Sequence, residues 1–392
     1  MARVRLAVLL GGMLLVAAGQ SILFAVLPPA GRSIGLADWQ VGLIITVSGA
    51  AFVVASPWWG RVSDRRGRRG LIVVGLCGYA LFTAAFAQSL DIGMAGVMAP
   101  LASLALLILV RIGFSLTVAA AMPAVQAYVA DTTSMERRAG GLAKLSAAFG
   151  LGTVVGPLIA AGLAGFGVLV PLYAVAAAAL LTALLVGLLL DHPSRVTAGA
   201  ATPLKPNDPR IRFWILIALG FFTAIAIVLQ TLGFLAQDRL RLDREATGRA
   251  VGVCLLVAGL ASVVCQIAVA RRRIERPGYL VLLGLPAGIV GLVVLVLAAS
   301  LTWIAIGMAA VGAAMGLCAP GFAAAASLEV GPDEQGAVAG IIGAAQAGGF
   351  ILGPVLGGAL YQVDACAPYL CAMAVWSILL AAGLRHREII RS

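Results

Sequence analysis

The chain has 392 residues, 62% of them hydrophobic and only 11% charged, with a mean hydropathy of +1.06. Soluble domains carry about 25% charged residues, so these proportions exclude an ordinary water-soluble protein and indicate many membrane spans. The formal net charge of +11 is explained by basic loops facing anionic lipid headgroups, and no nucleic-acid partner is expected.

A helix needs about 20 apolar residues to cross the hydrocarbon core. In chain order the apolar runs give twelve candidates: 4–27, 39–59, 71–89, 97–129, 140–163, 168–190, 213–236, 250–270, 279–299, 303–327, 337–361 and 367–384. The first follows Arg3 and Arg5 and stays apolar to Pro28. That is longer than a secretory signal, so it reads as an uncleaved first span. The fourth run is too long for one straight helix, and part of 91–101 is expected to form a loop or a segment on the lipid surface.

Between the second and third spans lies Gly60-Arg61-Val62-Ser63-Asp64-Arg65-Arg66-Gly67-Arg68-Arg69-Gly70. A loop this short and basic reads as cytoplasmic by the positive-inside bias, and its glycines permit a tight turn and close helix approach. The pattern Gly-x-x-x-Asp-Arg-x-Gly-Arg-Arg resembles the loop 2–3 signature of the major facilitator superfamily. The resemblance implies an all-α fold of twelve helices in two pseudo-symmetric six-helix bundles. It also implies a cytoplasmic gate built from Gly60, Asp64, Arg65, Gly67, Arg68 and Arg69, with Asp64 facing the start of the eleventh helix when that side is shut. The openings Val26-Leu27-Pro28 and Trp39-Gln40-Val41-Gly42-Leu43 are similar to the twelve-helix drug/proton antiporter group.

Of the 27 Lys and Arg, 21 fall on the loops and tails that share a side with the N-terminus. The other side holds Arg32, Arg239, Arg241, Arg244 and Arg249, and Arg111 alone lies within a span. This asymmetry places both termini in the cytoplasm, and the resemblance implies a bacterial inner membrane.

Arg111, in Val110-Arg111-Ile112-Gly113-Phe114-Ser115, is costly in hydrocarbon unless hydrated or paired, and reads as facing a cavity near Gln20. The alternative is an arginine that snorkels to headgroups. Its position resembles the helix-four motif Arg-x-x-Gln-Gly of the antiporters, although Phe114 and Ser115 stand where Gln and Gly are usual.

An internal repeat follows. At an offset of 197 residues Gly152 falls on Gly349, Gly156 on Gly353, Pro157 on Pro354 and Pro123 on Pro320. This indicates parallel duplication of a six-helix bundle, with an N-terminal bundle at 1–190, a cytoplasmic linker at 191–212 and a C-terminal bundle at 213–392. The linker holds Pro193, Pro203, Pro206 and Pro209, too many for a span. Small residues one turn apart let helices pack closely, and each proline removes a backbone hydrogen bond and permits a hinge. The Gly-Pro blocks resemble the helix-five motif of exporters in the superfamily.

Six scattered cysteines and two histidines, His192 and His386, show no metal-ligand spacing, so no metal and no cofactor are expected. Cys366 and Cys371 are near enough to pair, though nothing requires it. None of the 16 acidic residues lies in mid-span. A proton gradient is therefore the energy source the resemblance implies, without an obvious carboxylate to carry the proton. Gln20, Gln126, Gln230 and Gln346 are the polar candidates, each open to either substrate contact or interhelical hydrogen bonding; Gln20, Gln230 and Gln346 stand on helices that line the cavity in this superfamily. The reading is a secondary active, proton-coupled exporter of small, largely apolar organic compounds, acting as a monomer by alternating access, and not an enzyme. The alternatives are an exporter or exchanger of organic anions and, more remotely, a non-transporting membrane sensor.

Overall fold

Proline stands in the first turn of several helices in the computed structural model, which describes residues 2–132, 135–190, 205, 207–271, 276–331 and 334–385. The helices are α1 (Ala2–Ile34), α2 (Asp38–Arg66), α3 (Arg68–Met94), α4 (Pro100–Val118), α5 (Ala121–Thr132), α6 (Met135–Leu163) and α7 (Val170–Leu189), followed by α8 (Pro209–Leu240), α9 (Arg244–Ala270), α10 (Gly278–Leu297), α11 (Leu301–Leu328), α12 (Gln335–Val363) and α13 (Ala367–Arg385). Among the described residues 12 helical segments are long and apolar enough to cross a bilayer, and the chain is a multi-pass membrane protein.

The overlong fourth run is divided in two ways. At its start, α3 continues to Met94 with Ala95 as its C-cap, and Gly96 beyond it turns the chain with a φ of +71° that suits a residue without Cβ. In its interior, Ala119 and Ala120 separate α4 from α5. Pro123 supplies no N–H to Ala119, four residues earlier, and its ring crowds that carbonyl. The break packs against α3, where a Cβ at Gly75 would meet the Ala121 backbone N at 2.8 Å.

Most helices also extend past the apolar runs, and polar N-caps fix three of the starts, at Asp208, Asp243 and Ser300. The seventh span was placed from 213, but α8 begins at Pro209. Asp208 is its N-cap and accepts from the Arg210 backbone N–H at 3.0 Å, and proline suits the first helical position. Most of the expected linker, including Pro193, Pro203 and Pro206, lies outside the described residues.

The chain divides into two compact units, Met1–Thr197 with Asp243–Gly252, and Ala198–Leu242 with Val253–Ser392. Within the first unit α1 packs along α6, and α3 packs against both α7 and α4. Within the second, α8 packs along α12, and α10 against both α13 and α11. The same three pairings therefore occur in each unit, as expected for duplicated halves.

The repeated glycines explain the longest of these contacts. A Cβ at Gly152 would overlap the Leu14 carbonyl oxygen of α1, and one at Gly156 the Ala18 carbonyl oxygen. In the second unit a Cβ at Gly349 would come within 2.7 Å of the Thr223 backbone N, and one at Gly353 would overlap the Ala226 side chain. Helix backbones approach this closely only where one helix lacks side chains. Pro157 and Pro354 lie inside α6 and α12. Pro157 cannot donate to the Thr153 carbonyl, and the Ser21 hydroxyl of α1 donates to it instead at 3.2 Å. All six cysteines are free thiols, Cys366 and Cys371 included.

Candidate functional site

Two arrangements in the first unit gather the chemistry-bearing residues. The first is the junction of α2 and α3. Gly67, with φ of +93°, is both the C-cap of α2 and the N-cap of α3, so a left-handed backbone joins the two helices with no intervening loop. This reversal brings Arg68 back over the end of α2. Its Nη1 donates to Ser63 Oγ at 2.8 Å, and its Nε donates to Asp131 Oδ2 at 3.2 Å. The Arg68 and Asp131 side chains are 16% and 10% exposed, so the pair is poorly screened and ties the ends of α2, α3 and α5 together. Arg69 donates to the Gly187 carbonyl of α7. The Asp64 and Arg65 side chains lie outside the described residues. Gly60 and Gly70 do not serve close approach, since a Cβ at either would meet nothing within 4 Å.

The second arrangement surrounds Arg111 on α4. Arg111 is 6% exposed, and its Nε has no hydrogen-bond partner. Its guanidinium carbon lies 4.2 Å from the Phe114 ring centroid and 5.6 Å from that of Phe86. It is therefore held among rings inside the unit, not extended along the lipid surface. Burying a charge at the bilayer centre costs about 2.5–3.5 kcal/mol on insertion scales. A cation over an aromatic face recovers about 0.5–2 kcal/mol of that.

Gln20, Tyr79, Thr83, Phe86 and Phe114 line a cavity of about 10 Å³ beside Arg111, room for about one water. Tyr79 donates to the Leu15 carbonyl at 3.1 Å, and it reaches α1 because Gly19 has no Cβ to overlap its hydroxyl. Sequence reasoning brought Gln20 and Arg111 together but missed Tyr79, Thr83 and Phe86. Their spacing on α3, four residues and then three, places them on one helix face, which was the available signal. Asp131, 63 residues from Arg68 in the chain, carries no sequence signal that joins the two.

The remaining glutamines differ. Gln126 on α5 is exposed and does not line this cavity. Gln230 on α8 is fully buried, and neither its Nε2 nor its Oε1 has a hydrogen-bond partner. Gln346 on α12 is half-buried. Among the described residues no group of three or more His, Cys, Asp or Glu is placed to hold a metal ion.

Residues 9–354 match the family model for the Major Facilitator Superfamily. The chain is 24% identical to Multidrug resistance protein 2 of Bacillus subtilis (strain 168), over 97% of this chain and 94% of that one. It is 28% identical to the class C Tetracycline resistance protein of Escherichia coli, over 92% of this chain and 90% of that one. Among solved structures it resembles a bacterial homologue of the iron transporter ferroportin, with a TM-score of 0.74 at 15% identity and 100% coverage of both chains. That likeness concerns the fold alone.

Proposed function

Because this chain belongs to the Major Facilitator Superfamily and is a membrane transporter, not an enzyme, we propose that it exports small, largely apolar organic compounds in exchange for protons by alternating access. The observation that carries this reading is similarity over nearly the whole length to a multidrug resistance protein and a tetracycline resistance protein. The proposal includes a monomer in the bacterial inner membrane, cytoplasmic termini, which the bias of basic loops supports, no cofactor, and a proton gradient as the energy source.

The Arg68–Asp131–Ser63 network supports a gating role for the α2–α3 junction. It fastens three helix ends through charged groups that are mostly out of water. Such contacts influence transport only if they differ between conformational states. Uptake of a fluorescent apolar cation by everted vesicles tests the reading. Uptake that requires the imposed proton gradient and collapses with a protonophore is the expected result. Uptake indifferent to the gradient overturns proton coupling.

A second reading, exchange of organic anions, is favoured by one observation: the buried Arg111 has no carboxylate partner among the described residues. Proteoliposomes that exchange an organic acid but not an apolar cation would select it.

A further inference from the structure

Among the described residues of the first unit, the Arg111 guanidinium is a buried charge without a carboxylate beside it. One face is covered by the Phe114 ring, its Nε is unpartnered, and the side chain is 6% exposed. Rings supply only a quadrupole, so they lower the cost of the charge without cancelling it. The adjoining cavity has no acidic residue in its lining. Tyr79 cannot supply its proton to the cavity, because its hydroxyl donates to the Leu15 carbonyl. What remains is a set of donors: the Arg111 guanidinium edge, the Thr83 hydroxyl and the Gln20 amide.

Size selects the occupant. In this conformation about 10 Å³ admits a single small body, and an organic cargo would reach Arg111 only if the cavity opened. A water would accept from Nε but leave the guanidinium, which is itself 6% exposed, without a counter-ion, even though the Gln20 end of the cavity is exposed. A monatomic anion accepts from every one of these donors and also cancels the charge. We infer that the cavity beside Arg111 is a binding site for a small monovalent inorganic anion of the size of chloride, acting as the counter-ion of that arginine.

This goes beyond the transport reading and does not depend on it. Binding is read on purified protein without transport, so a failed vesicle assay leaves it standing, and a failed binding assay leaves the exporter standing. The experiment is thermal unfolding of the full chain in detergent, with sodium chloride exchanged for sodium gluconate at constant ionic strength. A ligand that binds only the folded state raises its melting temperature. The expected result is a saturable rise of roughly 2–4 °C with chloride, reproduced by bromide and absent with gluconate.

Arg111→Met is expected to abolish the response. Thr83→Val keeps the arginine and the side-chain shape but removes a donor, and is expected to raise the half-saturating chloride concentration about tenfold. Equal melting temperatures in the two salts mean that water fills the cavity and overturn the inference. A full chloride response in Arg111→Met overturns it as well. If Arg111→Met does not fold, Thr83→Val decides alone, and an unchanged half-saturation overturns the site.

Discussion

Pro157 leaves the Thr153 carbonyl without its usual donor, and Ser21 supplies one from the neighbouring helix at 3.2 Å. Ser21→Ala therefore strands a carbonyl in the interior of the first unit. The expected loss is about 0.5–1.5 kcal/mol. Pro157→Ala restores the backbone donor within α6, so in that background Ser21→Ala is expected to cost close to nothing. A double-mutant cycle measured by denaturant unfolding checks this through its coupling energy. The glycines on the same helix give a sharper contrast. Gly152→Ala pushes a methyl group into the Leu14 carbonyl and is expected to cost about 1–3 kcal/mol by overpacking. Gly150, two residues away, has nothing within 4 Å of an added Cβ. Gly150→Ala is thus expected to be neutral or to stabilise by up to about 1 kcal/mol through helix propensity. A thermal-shift comparison of the two substitutions reads the difference directly.

At the scale of helices, the starts of α8 and α12 are fastened by charge. Arg210 donates from Nη1 and Nη2 to the two carboxylate oxygens of Glu334, each at 3.0 Å, and from Nη2 to Asp208 at 2.8 Å. The hydrogen bonds from the Arg210 side chain hold both carboxyls below the usual carboxylate range, with the Gly331 N–H adding to the effect on Glu334. A carboxyl whose pKa is lower in the folded state stabilises the fold above its unfolded pKa, about 4–4.5, and loses that contribution as pH falls through its folded value. The fastening is exposed, so its effect is modest and screened by salt. The second unit is accordingly expected to be stable from neutral pH to about pH 5 and to weaken below about pH 4. Arg210→Gln is expected to lower the neutral plateau modestly and so flatten the acid limb, with the two proteins converging near the acid end of the range. Melting curves from pH 3 to 7 at low and high salt test both the sign and the screening.

For the whole molecule, the pair Arg68–Asp131 is where stability and transport separate. Asp131→Asn keeps the shape and one acceptor for Arg68 but removes the charge. It is expected to cost about 1–3 kcal/mol of stability and, on the proposed gating role, to reduce efflux at least about tenfold while the protein still inserts and folds. Efflux assays in vesicles, normalised to folded protein, check it. Undiminished efflux in Asp131→Asn would remove the pair from the gate and leave it as a fastening of helix ends.

The number of spans, the doubled Gly-Pro blocks and the glycine-linked reversal at Gly67 were legible in the chain itself. Each depends on local properties: the apolar length needed to cross hydrocarbon, the missing N–H of proline and the backbone freedom of glycine. The same local rules located Arg111 in a span and implied that it faces inward. They could not say that Asp131 meets Arg68 across 63 residues of chain, that Ser21 stands opposite the carbonyl freed by Pro157, or that Phe86 and Phe114 both lie beside a guanidinium. Nor could they rank the glutamines, of which Gln230 is fully buried and Gln126 exposed. Those outcomes depend on the rotation of each helix about its axis and on where helices cross. In a membrane bundle nearly every face is apolar, so hydrophobic patterning carries little information about rotation. The close approach of backbones at the paired glycines sets it, and that is a property of the packed tertiary structure.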